Sequence, residues 1–162
     1  MIVTRARGRW RIIDVARFLR LFPMGASVVH PLVGLALTVW PRRVGVVTAV
    51  IVAGVSFHVF SFVLNDIRDL PIDASEPRRQ TSPLVRGMVS TSAAAWLTAA
   101  ACLLGVALIA IVGGLESVIS YLIAVLALGI YDLFGKRMPI PGLADVIQGL
   151  GWGSLLMAGA YI

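Results

Sequence analysis

Five stretches of the 162-residue chain are apolar over about the length a helix needs to cross a bilayer, four of them complete and the fifth nearly so. They fall at about residues 21–40, 44–64, 88–112, 117–131 and 143–162. With 59% hydrophobic and 14% charged residues and a mean hydropathy of +0.92, the chain excludes a soluble globular domain, a disordered tail and a coiled coil. The fold class expected is all-α: a polytopic transmembrane helical bundle of about five spanning helices. Residues 12–20, ahead of the first span, alternate apolar and charged positions at helical spacing, so segment 1–20 reads as an amphipathic lead-in at the interface.

The charges order the bundle across the membrane. Segments 1–20, 65–86 and 132–142 fall on one side and carry 12 of the 14 basic residues; the other side holds only Arg42 and Arg43. The positive-inside rule then predicts a cytoplasmic N-terminus in the cell (plasma) membrane. The net charge of +6 is accounted for by orientation, and no nucleic-acid partner is expected. Seven of the eight acidic residues share the basic side, Glu116 being the exception, so polar chemistry concentrates on one face. Cys102, the single cysteine, lies in an apolar run and reads as a small buried hydrophobe.

The end of the second span reads Asn65-Asp66-Ile67-Arg68-Asp69-Leu70-Pro71-Ile72-Asp73. On a helix, Asp66, Asp69 and Asp73 share one face. Carboxylates that close repel one another and need a counter-ion. Hard oxygen donors without His or Cys favour Mg²⁺, which commonly adds substrate phosphates to its ligands. Asn65 adds an amide, and Arg68, Arg78, Arg79, Arg86 and Lys136 supply positive charge for a diphosphate. The spacing alone is equally consistent with a solvated loop whose acids pair with its arginines.

This aspartate run resembles the first aspartate-rich motif of UbiA-type membrane prenyltransferases. Pro83-Leu84-Val85-Arg86-Gly87-Met88-Val89-Ser90 is similar to the segment leading into that family's third helix. Tyr131 through Lys136-Arg137 is similar to its Tyr/Lys-Arg segment, and Arg20-Leu21-Phe22-Pro23 to its first-helix start. The resemblance implies Mg²⁺-dependent transfer of a prenyl group from a prenyl diphosphate to a membrane-soluble, often aromatic, acceptor. It implies that Asp66, Asp69 and Asp73 hold Mg²⁺ and form the catalytic set. By the same analogy Asn65, Arg68, Arg86, Tyr131 and Lys136 bind the diphosphate, and the lipid bilayer surrounds the site.

The family has roughly nine spanning helices and a second aspartate motif beyond the sixth. Residues 1–162 are therefore expected to be the N-terminal half of such a domain, with 65–86 its aspartate-rich loop. Such a half calls for a longer chain, a second half-protein or a homodimer. The alternative is a non-catalytic membrane subunit or remnant. Pro71 is expected to bend the motif and loosen Asp73 from the shared face. His58 lies seven residues before Asn65, nearly in phase with it and with Ser61; an internal hydrogen bond is favoured over contact with the acceptor. Gly149, Gly151 and Gly153 include a Gly-x-x-x-Gly spacing, whose expected role is close helix packing.

Overall fold

The structure, a computed structural model, describes residues 10–38, 43–135 and 138–162. The described residues form six α-helices and no strand: α1 (Ile12–Phe18), α2 (Met24–Ala36), α3 (Val44–Asp73), α4 (Thr91–Val112), α5 (Leu115–Phe134) and α6 (Leu143–Ala160). A single 3-10 turn, Pro77–Arg79, lies between α3 and α4. Trp40, Arg42 and Lys136 lie outside the described residues.

Three helices, α3, α4 and α5, are long and apolar enough to cross a membrane. The other two expected spans are the 13-residue α2 and the 18-residue α6. At 1.5 Å per residue α2 is only about 20 Å long, short of a hydrocarbon core of about 30 Å. The 30 residues of α3 run to about 45 Å, some 15 Å more than the thickness of that core. The aspartate run forms the last turns of this helix, after its apolar stretch.

Pro71 does not interrupt α3, which continues to Asp73. A proline removes only the bond from its own nitrogen, here to the carbonyl of Ile67. In the last turn of a helix that loss disturbs little above it. The segment expected as a loop from residue 65 is therefore helical for its first nine residues.

Helix α3 is central, packing against α2, α4 and α5, while α6 closes the bundle against α5 and α2. Phe57 on α3 meets Tyr121 edge-on at 6.1 Å and Trp152 at 5.9 Å between ring centroids. The buried Tyr121 hydroxyl donates to the Ala53 carbonyl at 3.0 Å, tying α5 to α3. Of the three glycines expected to permit close helix approach, only Gly151 does so. Gly149 and Gly153 face open space, whereas Gly34 and Gly159 lie against backbone across the α2–α6 contact, and Gly151 lies against Leu128. Trp96 and much of α4's apolar surface face outward.

Candidate diphosphate site

All three aspartates are buried, at 5% (Asp66), 7% (Asp69) and 8% (Asp73) relative exposure. They lie along one side of α3 over about 10 Å of axial rise. Burial at the end of a bundle requires counter-charge, and among the described residues arginines pair with Asp66 and Asp73. The guanidinium of Arg20, in the turn after α1, pairs with Asp66. Arg79 of the 3-10 turn lies 3.5 Å from an Asp73 carboxylate oxygen.

A cavity of about 430 Å³ opens beside Asp66, walled by Arg17, Arg20, Arg78 and Arg79, with Thr81 and Ser82 adding hydroxyls. Its apolar wall includes Ile13, Leu21 and Phe22. Four arginines and two hydroxyls make a surface complementary to phosphate oxygens. A smaller cavity of about 180 Å³ is lined by Arg20, Asn65, Ser61, Tyr131, Asp132 and Gln148, among others. Arg20 lines both cavities. Ser61 donates to the buried Asp132 carboxylate at 2.9 Å.

The predicted site residues therefore separate into groups. Asp66, Asp69 and Asp73 share the helix face expected of them. Asn65 and Tyr131, distant in sequence, meet in the smaller cavity. Arg68 turns away: its Nε donates to the Leu133 carbonyl at 3.1 Å, at the end of α5. Two residues after Asp66, it stands about 200° round the helix. Arg86 reaches Asp14 of α1 at 3.4 Å and pins the lead-in helix to the α3–α4 connection.

Asp14 is 1% exposed. Burial pushes its carboxyl up, but hydrogen bonds from the Arg11 backbone and side chain, with the charges of Arg11 and Arg86, outweigh that and hold it below the usual carboxylate value.

His58 is fully buried and hydrogen-bonded inside the bundle, as expected, but not to any neighbouring helix side chain alone. Its Nδ1 lies 3.2 Å from Ser27 Oγ, and its Nε2 lies 3.0 Å and 3.1 Å from the carbonyls of Leu19 and Arg20. Arg20 and Arg17 were not legible as site residues by spacing, because only the reversal of the chain after α1 brings Arg20 to Asp66 and Arg17 to the same cavity.

Carboxylate oxygens are the right donors for a hard divalent cation. Among the described residues no three His, Cys, Asp or Glu side chains come together as a set able to hold a metal ion. The axial spread of the three aspartates along one helix explains this, since a single helix cannot wrap a cation.

Comparison with known proteins agrees with the architecture. The chain shares its fold with a UbiA homolog from Archaeoglobus fulgidus bound to DMAPP and Mg²⁺, at 21% identity and TM-score 0.79, covering 92% of this chain and 54% of that one. A structure of a UbiA homolog from the same organism bound to GPP and Mg²⁺ matches at 20% identity and TM-score 0.77, covering 91% of this chain and 53% of that one. The chain thus spans about half the length of the structures it matches. No curated protein matches it. The model of the UbiA prenyltransferase family matches residues 27–162, from the first turn of α2 onward, and the chain belongs to that family.

Proposed function

We propose that the chain is the N-terminal half of a membrane prenyltransferase, supplying the diphosphate-binding side of the site. The reading rests on one observation above others: three buried carboxylates along one side of α3, the first of them, Asp66, in the wall of an arginine-lined cavity. Asp66, Asp69 and Asp73 would hold Mg²⁺ together with phosphate oxygens of the substrate, and further donors would come from a second half, in the same or another polypeptide. The bound cation supplies charge neutralisation for the departing diphosphate. Arg17, Arg20, Arg78 and Arg79 add to that neutralisation from the cavity wall, and Lys136 is assigned to the same task. Asn65 and Tyr131 orient the diphosphate from the smaller cavity. Arg68 and Arg86 brace the helices that carry the site. The prenyl tail lies among the spanning helices, where water is excluded from the allylic carbocation until an aromatic or other membrane-soluble acceptor is alkylated. The protein is assigned to the plasma membrane as a multi-pass protein with this end facing the cytoplasm, on the distribution of its basic residues.

One observation favours a second reading, a non-catalytic subunit: Asp66 and Asp73 each have an arginine partner within the chain. Calorimetric titration of geranyl diphosphate into the chain in lipid nanodiscs separates the two. The prenyltransferase reading expects binding that needs Mg²⁺ and weakens at least about tenfold in Asp66→Asn. Binding that ignores both Mg²⁺ and that substitution would leave the subunit reading.

A further inference from the structure

Arg20 has φ +46°, the left-handed region that non-glycine residues seldom adopt. Nothing in an arginine side chain favours that backbone, so surrounding contacts must impose it. The contacts converge on one residue. His58 Nε2 faces two carbonyl oxygens, those of Leu19 and of Arg20 itself. Carbonyls only accept, so Nε2 carries the proton and Ser27 Oγ donates to Nδ1. The ring is thereby fixed at both nitrogens and stacks 4.3 Å from Phe62. Ser27 reaches it because α2 and α3 pack closely at Gly54, where a side chain would strike the backbone of Ser27 and Val28. The outcome of the imposed turn is the direction of the Arg20 guanidinium. It leaves the turn over the Phe62 ring, 5.6 Å from its centroid, and pairs with Asp66 between the two cavities.

We infer that His58 is a positioning residue: held in one tautomer by Ser27, it clips the turn after α1 and so aims Arg20 at Asp66, on the wall shared by both cavities. His58 touches neither cavity's ligand space and acts through Arg20. The inference rests on the prenyl diphosphate reading only for what Arg20 then meets.

The test is a mutant cycle on the full chain in nanodiscs, read by thermal unfolding. Arg20→Gln and Asp66→Asn, singly and together, measure the Arg20–Asp66 coupling in three backgrounds: wild type, His58→Gln and His58→Leu. The coupling is expected as a non-additivity of about 2–4 °C in wild type. It should survive in His58→Gln, whose amide still donates, and vanish in His58→Leu. Undiminished coupling in a folded His58→Leu background overturns the inference. Should His58→Leu fail to fold, Ser27→Ala carries the test, since it frees the ring without emptying the site. The coupling should then fall by at least about half, and an unchanged value is equally fatal.

Geranyl diphosphate affinity with Mg²⁺ supplies the second readout: roughly tenfold weaker in His58→Leu and close to wild type in His58→Gln. A wild-type chain that binds no geranyl diphosphate would remove the functional reading while leaving the coupling result to decide the role of His58.

Discussion

At the residue scale, the fate of each arginine at the polar end is set by helical phase and chain direction rather than by charge. Arg68 is adjacent in sequence to the aspartates and faces away from them; Arg20 is 46 residues from Asp66 and pairs with it. Sequence proximity did not mark Arg20 as the partner of Asp66, whereas the i, i+3, i+7 spacing of the aspartates themselves was readable. Arg79→Ala is expected to weaken Mg²⁺-dependent geranyl diphosphate binding about tenfold, and Arg86→Ala to leave it close to wild type while lowering the melting temperature; calorimetry and thermal unfolding on the same preparations check both. Asp14 carries a pH signature. Its folded-state carboxyl is held below the usual value, so its contribution is present at neutral pH and is lost as pH falls through the ordinary carboxylate range toward the lowered one. Asp14→Asn should therefore lower the melting temperature at pH 7 and shrink its fall between neutral and acid pH, measured as melting temperature against pH. An acid limb as steep as that of wild type would count against this role.

At the element scale, α3 decides the arrangement of the site. Apolar runs near 20 residues marked α3, α4 and α5 from the sequence, and the Gly113-Gly114 turn separated the last two as expected. The continuation of α3 through Pro71 was not legible, because one proline in a final turn costs a single bond that burial of Leu70's side of the helix and the Asp73–Arg79 pair offset. Gly149 and Gly153 were misassigned as packing glycines for a related reason. A small-xxx-small spacing says that a close approach is possible on a face, and only the tertiary arrangement says which face meets a partner. Gly159 lies against the Pro31 carbonyl, so Gly159→Leu is expected to force α6 from α2 and destabilise by about 1–3 kcal/mol or more, whereas Gly153→Leu, on the open face, should change stability little. Tyr121→Phe removes one buried hydrogen bond to Ala53 and should cost about 1 kcal/mol, a drop of some 2–4 °C. Thermal unfolding in one detergent compares all three; a Gly153→Leu penalty equal to that of Gly159→Leu would contradict the packing described.

At the scale of the whole molecule, the polar segments separated in sequence converge at one end of the bundle. Arg86 meets Asp14, Arg20 meets Asp66, and Ser61 meets Asp132, so the lead-in, the α3–α4 connection and the end of α5 build a single polar surface. The alternation of apolar runs with basic segments made that convergence readable before any coordinates. The two cavities were not readable, since their walls combine side chains from α1, α3, the 3-10 turn, α5 and α6. Under the proposed function, this surface receives a diphosphate whose tail enters the bundle. Photo-crosslinking tests it most directly: a diazirine-bearing geranyl diphosphate analogue is irradiated with the chain in nanodiscs, with and without Mg²⁺, and labelled peptides are mapped by mass spectrometry. Mg²⁺-dependent labelling is expected of peptides from α2, α3 and α5, competed by geranyl diphosphate and lost in Asp66→Asn. Labelling confined to the outward face of α4, indifferent to Mg²⁺ and to that substitution, would contradict it.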